Sequence, residues 1–272
     1  FNSVGTTIAP IIGAHFILSD RILGTEAIAL LSDADREAYY AGEASAVQGP
    51  FIVLAGALLL LALIVAAARL PRILDTQHAG TYGQALRHPR LLLGAIGIFL
   101  YVGAEVAIGT YLVNYFLSMD LAEAIRTNGL TNWIATALHG KPLETVDAKG
   151  VVATFVALYW GGAMIGRFVG SALTLIMRPP VVLAAFGASA IALIVVSMAS
   201  TGFTAMWSIL AVGLFNSVMF PTIFTEAIEG MGDLKPQASG ILCTAIMGGA
   251  FIPPLLGRLA DGFGFKTAFV LL

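Results

Sequence analysis

Residues 50–68 carry no charged or amide side chain, running from Pro50-Phe51-Ile52-Val53 through Leu58-Leu59-Leu60-Leu61 to Ala68. A helix needs about 20 mostly apolar residues to cross a hydrocarbon core of roughly 30 Å. Comparable apolar runs lie near 1–19, 91–118, 150–177, 180–200, 203–224 and 238–257, and the start of an eighth falls at 267. Runs this long and continuous do not fit the alternating strands of a membrane β-barrel. The pattern predicts an all-α, polytopic transmembrane bundle. Composition agrees: 58% of the residues are hydrophobic and only 11% charged, whereas soluble domains average about 25% charge.

The same inventory excludes other classes. Lys and Arg number 14 against 16 Asp and Glu, so no basic field exists for nucleic acid. One cysteine, Cys243, rules out an intramolecular disulfide and a Cys-rich metal cluster. His15, His78, His88 and His139 lie far apart without ligand spacing. With no nucleophile–base pair, phosphate loop or zinc motif, the expectation is a non-enzyme that needs no cofactor or metal. No obligate protein partner is inferred; the lipid bilayer is the partner that composition implies. No period of 20–50 residues signals a solenoid.

Phe1 already lies in an apolar run, and the sequence stops at Val270-Leu271-Leu272 as another run begins. The first run lacks the charged n-region of a signal peptide. The expectation is a piece of a longer polytopic protein, truncated at its N-terminal side.

Two polar connections set the orientation. Residues 20–49 hold Asp20, Glu26, Asp33, Asp35, Glu37 and Glu43 against Arg21 and Arg36, while 69–90 holds Arg69, Arg72, Arg87 and Arg90 against Asp75. Basic residues near span ends stay on the cytoplasmic side, which places 69–90 inside and 20–49 outside. Over all loops the basic counts are nearly even, so the orientation rests on these two segments. Residues 69–90 also form the expected boundary. They would be a cytoplasmic linker between two spans in 1–68 and five spans plus part of a sixth in 91–272.

Glu105 lies near the middle of the 91–118 run. An ionisable side chain at that depth costs a few kcal/mol or more and marks a cavity or ion pathway. It is a candidate for substrate binding and for proton coupling, with a neutral carboxyl bonded to a neighbouring helix as the alternative. At 100° per residue Tyr101, Ile108, Gly109 and Leu112 flank it, and Asn114 falls on the opposite side. A helix break at Gly109-Thr110 would bring Asn114 round to the same cavity; in a straight helix Asn114 bonds a neighbour instead.

Gly162, Gly166 and Gly170 make two successive G-x-x-x-G spacings, a flat groove for close helix approach. Trp160 and Arg167 lie on the opposite face. Arg167 reads as a cytoplasmic gate contact or as an arginine snorkelling to the headgroups. Asn216 shares a face with Phe220 and Ile223, next to Pro221, whose missing N–H frees a backbone carbonyl. An amide beside an aromatic ring suits a sugar, binding hydroxyls while the ring covers the C–H face, though it suits interhelical bonding as well. Asn2 and Thr6 share a face of the first run, and Pro253-Pro254 with Gly257 predict a kink in the 238–257 run. The loop 119–149, with Trp133, receives no role.

Several of these runs together resemble the fucose/galactose/glucose:proton symporter family of the major facilitator superfamily. Phe1-Asn2-Ser3-Val4-Gly5-Thr6-Thr7-Ile8-Ala9-Pro10 is similar to its fifth transmembrane helix, and Tyr101-Val102-Gly103-Ala104-Glu105-Val106-Ala107-Ile108-Gly109 to its seventh. Tyr159-Trp160-Gly161-Gly162 through Gly166-Arg167-Phe168 resembles the eighth. Phe215-Asn216-Ser217 with Met219-Phe220-Pro221-Thr222-Ile223-Phe224 resembles the tenth.

The resemblance implies a chain running from the fifth helix to the start of the twelfth. Residues 1–68 would then be the last two helices of the N-terminal half and 91–272 most of the C-terminal half. It further implies import of a hexose-type sugar by alternating access, with H+ a more expected coupling ion than Na+, in a bacterial-type inner membrane. Asn2, Glu105, Asn114, Asn216 and Phe220 would contact the sugar, and Arg167 would belong to the inner gate. The carboxylates that couple protons on the family's first and fourth helices have no counterpart here. Efflux of amphipathic drugs by the same fold, and a membrane sensor that transports nothing, are the competing functions.

Overall fold

Capping groups and prolines set where the helices start. In the computed structural model, which describes Gly5 and residues 30–68, 80–140 and 142–272, every regular element is helical among the described residues. These residues divide into two compact units, one within 8–76 and one containing everything from Gly80 onward.

In the first unit, α1 spans Asp33–Ala67. Ser32 caps it by accepting a hydrogen bond from the Asp35 backbone N–H at 3.2 Å, and Asp33 and Asp35 occupy the first turn, where carboxylates favour the helix dipole. The helix therefore begins well before the apolar run. The stretch read from composition as an acidic loop to residue 49 is, in its described part, a polar helical extension of the span. At 1.5 Å per residue such a helix outruns the hydrocarbon thickness by several turns.

The second unit opens with α2, Tyr82–Ala85, held by a reciprocal capping box between Thr81 and Gln84. Next comes α3, Pro89–Leu117, with Pro89 at its first turn, where the absent N–H costs nothing. Three short elements follow: α4, Leu121–Thr127; α5, Gly129–His139; and a 3-10 turn at Leu143–Thr145. Asn128 caps α5, and Arg126 ties α4 back by donating to the Leu143 and Val146 carbonyls. The loop left without a role is thus a folded helical cap, with Leu121, Ile125 and Leu143 buried in the core.

The remaining elements are α6, Ala148–Ala153; α7, Val156–Ile176; α8, Pro179–Ala199; α9, Gly202–Asn216; α10, Met219–Ile228; α11, Lys235–Ala245; α12, Gly248–Phe263; and α13, Phe265–Ala268. Pairs in direct succession (α6 with α7, α9 with α10, α11 with α12) each make up one span, so six helices of the described residues are long and apolar enough to cross a membrane. They coincide with all the expected runs except 1–19, which lies outside the described residues. The eighth run begins as the short α13 and a 3-10 turn at Phe269–Leu271.

Helix α3 is the hub, packed on α10, α11 and α12, while α9 is sandwiched between α7 and α8. The larger apolar cluster joins Tyr115, Phe116, Phe155, Met206, Ile209 and Phe269, all buried. There the Tyr115 hydroxyl bonds both the carbonyl and the hydroxyl of Ser197, at 3.0 and 3.1 Å, which pins α3 to α8. A second cluster at the other end gathers Leu91, Ile98, Ala227 and Leu242.

Small residues let these helices approach. A Cβ on Gly166 would overlap the Leu214 carbonyl and the Ser217 hydroxyl, and one on Gly170 would meet Val218. The glycine stripe of α7 is accordingly filled by backbone and side-chain atoms of the α9–α10 junction, as close helix packing requires.

The expected break in α3 is corrected. The helix α3 runs unbroken through Gly109-Thr110; Thr110 donates its hydroxyl to the Val106 carbonyl within the helix, and Gly109 is occupied by the Trp160 ring. In the last long span the interruption falls at Ile246-Met247, with Pro253 and Pro254 both inside α12. It sits where Gly248 packs directly on the Phe99 backbone.

Candidate functional site

Tyr101, Glu105 and Gly109 lie one turn apart on α3, so their positions stack along one face. That face meets α7 and the end of α9. The Tyr101 hydroxyl donates to the backbone carbonyl of Asn216 at 2.8 Å. Trp160 lies over Gly109, where an added Cβ would come within 2.9 Å of its ring. Glycine at 109 is therefore what lets an indole sit one turn from a carboxyl.

On α7, Tyr159 is fully buried, and its hydroxyl accepts the Asn216 side-chain amide at 3.1 Å. Tyr159 and Trp160 meet edge to face with centroids 5.2 Å apart. Asn216 is the last residue of α9 and is buried. Pro221 has no N–H for the carbonyl four residues back, and the chain departs from helical form at Ser217-Val218 before α10 begins. Two groups then take up exposed backbone: Tyr101 bonds the Asn216 carbonyl, and the Ser217 hydroxyl donates to Leu214 at 2.9 Å.

Phe220 follows on α10, stacked 5.9 Å from Phe224 and packed into the apolar cluster that also receives Tyr101 and Val106. Tyr101 thus bonds Asn216, shares an apolar cluster with Phe220 and stands one turn before Glu105. Asn114 is not: on the unbroken α3 it is exposed, on the face opposite Glu105. Asn2 lies outside the described residues.

Arg167 is partly buried, two turns along α7 from Trp160. Its Nε is buried without a hydrogen-bond partner among the described residues. The side chain lines a cleft of about 580 Å³ together with Ser171, Thr174, Thr222 and Pro221. Farther along, Arg90 at the start of α3 bonds Glu226 and Glu229, each at 2.7 Å, across the end of α10. No group of His, Cys, Asp and Glu able to hold a metal occurs among the described residues.

Tyr101, Tyr159 and Trp160 escaped the reading of the sequence as site residues. A tyrosine or tryptophan in a span usually packs or anchors at the interface, so its type alone gives no signal. The usable clue was spacing, because Tyr101 stands four residues before Glu105 on a helix.

No family model matches the chain. It is 42% identical over its full length to the glucose/galactose transporter of Brucella abortus biovar 1 (strain 9-941) and covers 58% of that protein. It is 27% identical over 97% of its length to the L-fucose-proton symporter of Escherichia coli (strain K12), covering 57% of it. A solved structure of the major facilitator superfamily transporter FucP in the outward conformation aligns with 99% of this chain and 62% of its own, at a TM-score of 0.69 and 26% identity. The chain thus spans rather more than half the length of these relatives, which are transporters and symporters, not enzymes.

The bundle of paired and interrupted helices, matched nearly end to end by FucP, is a multi-pass membrane protein of the major facilitator fold. Within that superfamily the chain is similar to a glucose/galactose transporter and to an L-fucose-proton symporter.

Proposed function

We propose that the whole protein imports a hexose-type sugar across the bacterial inner membrane by alternating access, coupled to H+ in preference to Na+. The observation that carries this reading is one carboxyl, Glu105, placed at mid-span, one turn from the glycine that Trp160 covers and one turn from the tyrosine that bonds Asn216. Carboxylate and amide groups bond sugar hydroxyls, and an aromatic face covers the apolar side of the ring. The relatives' names, a glucose/galactose transporter and an L-fucose-proton symporter, support both the substrate class and the proton.

In this reading Glu105 and the free oxygen of the Asn216 amide face the sugar, and Trp160 and Phe220 supply aromatic surface. Asn2 joins them by its likeness to a polar position of the family's fifth helix. Asn114 is left out, because the unbroken α3 turns it away. Arg167 serves the inner gate, and residues 69–90 face the cytoplasm as the linker between a half that includes 1–68 and the half formed by 91–272. Drug efflux is disfavoured by the carboxyl and amide that the spans carry at Glu105 and Asn216.

Counterflow of radiolabelled glucose and galactose in proteoliposomes of the whole protein tests the proposal. Sugar-specific uptake should fall at least about tenfold in Glu105→Gln, the loss expected when one charged hydrogen bond disappears. Equal uptake by parent and variant would refute the site.

A further inference from the structure

Asn216 is held at both ends. Its backbone carbonyl accepts the Tyr101 hydroxyl at 2.8 Å, and its side-chain nitrogen donates to the Tyr159 hydroxyl at 3.1 Å. Tyr159 is itself confined. It is fully buried, with the Trp160 ring against its edge at 5.2 Å. Its carbonyl and ring fill the notch at Gly213, one turn before Asn216, where an added Cβ would overlap the carbonyl and come within 3.0 Å of the ring.

An asparagine amide that is free to turn can present either a donor or an acceptor to a solute. Here the nitrogen is engaged. The oxygen takes no hydrogen bond from the described residues, yet it is not sealed, since the sealed and unpaired side-chain atoms there are Arg167 Nε and Gln237 Oε1. We propose that Tyr159 is a positioning residue that fixes the polarity of the hexose site. By holding the Asn216 nitrogen it leaves the amide oxygen to the solute, so this contact reads the hydrogen of a sugar hydroxyl and not its lone pair.

A hydroxyl both donates and accepts, so it suits either face of the amide. Fluorine in its place has lone pairs but no hydrogen. Set against the amide oxygen, it leaves a buried acceptor without a bond, which costs that group's desolvation. Once the tyrosine hydroxyl is removed, the amide can turn its nitrogen to the fluorine. A hydrogen in place of the hydroxyl can bond neither face.

The inference rests on the hexose site proposed above. Calorimetric titration of the purified whole protein uses galactose and analogues in which each hydroxyl in turn is replaced by fluorine, by hydrogen or by an amino group. In the parent, fluorine at the contact position should weaken binding at least about tenfold. In Tyr159→Phe, galactose itself should bind about threefold weaker, because the solute must now order the amide. The fluorine analogue at that position should recover to within about threefold of galactose, while the hydrogen analogue stays equally weak in both proteins. Glu105 also offers acceptor oxygens, but a rejection caused by them persists in Tyr159→Phe, so recovery singles out Asn216.

A loosened site would change the fluorine and hydrogen analogues alike. Recovery at no position, or joint recovery of both analogues, overturns the proposal. If Tyr159→Phe does not fold, Asn216→Asp locates the same contact, because a carboxylate strengthens the bond from an ammonium group on the sugar. Rejection of fluorine by the parent at that position then supports the proposal, and its acceptance overturns it. Galactose binding without fluorine recovery strikes the role of Tyr159 alone, whereas a parent that binds no hexose refutes the transport reading and this inference with it.

Discussion

The helix that carries Glu105 and the helix that carries Asn216 are both buried spans, yet one is continuous and the other is broken. In α3 every backbone group near Glu105 stays within the helix, so recognition there depends on the side chain. At the α9–α10 junction the helix is interrupted at Ser217-Val218, just before Pro221, and tyrosine and serine hydroxyls bond the Asn216 and Leu214 carbonyls. The difference lies in the neighbours. Gly109 on α3 accepts an indole from α7, whereas Gly166 on α7 accepts the Leu214 carbonyl and Gly170 the Val218 side chain at the junction. One glycine makes room for a ring beside an intact helix, and the other two make room for a broken one.

Gly166→Val should have the largest effect, because its side chain would collide with the Leu214 carbonyl that supports the break. A loss of about 3 kcal/mol is expected from overpacking at an immovable backbone contact, read as a lowered midpoint of thermal unfolding in detergent. Gly162→Ala, whose nearest contact would be 3.4 Å away, should unfold close to the parent. Equal midpoints for the two variants would remove the distinction between junction and ordinary groove.

Asn216→Ala should follow, at about 2 kcal/mol, since it strands the buried Tyr159 hydroxyl as well as losing its own bond. Tyr159→Phe should cost about half as much, because it removes the same bond without stranding the fully buried tyrosine hydroxyl. If the tyrosine variant proves the worse, the amide is not what Tyr159 holds.

On the continuous helix, Trp160→Leu keeps apolar bulk over Gly109 but removes the flat ring. Hexose affinity, followed by isothermal calorimetry, should weaken roughly fivefold, in the range of an aromatic contact, with the unfolding midpoint nearly unchanged. Arg90→Ala should matter least. Its pair with Glu226 and Glu229 is solvent-exposed, and such pairs contribute little, so the midpoint should move by less than in any other variant.

Much of this architecture was legible from residue order alone. Apolar run length marked the spans, because hydrocarbon thickness leaves few alternatives, and the 162–166–170 glycines announced a close helix contact. Pro221 located the region of the break for a covalent reason that tertiary packing does not alter. The interruption at Ile246-Met247 carried no such signal, since it falls where Gly248 meets the Phe99 backbone, and that depends on a helix far away in sequence. Asp33–Gly49 looked like a loop because acidic composition hides helix propensity; the Ser32 cap was the signal to weigh. Glu105 stood out by its cost in a membrane. Its tyrosine and indole neighbours did not, since aromatic residues in spans are ordinary.

The account turns on the Glu105 carboxyl serving a solute. Calorimetric titration of the purified whole protein with galactose, alongside Glu105→Ala, measures this without relying on flux or on a gradient. A bound hexose that loses at least about tenfold in affinity in the variant is predicted, as removal of a charged hydrogen-bonding group requires. Unchanged affinity, with both proteins folded, would show that this carboxyl lies outside the binding site.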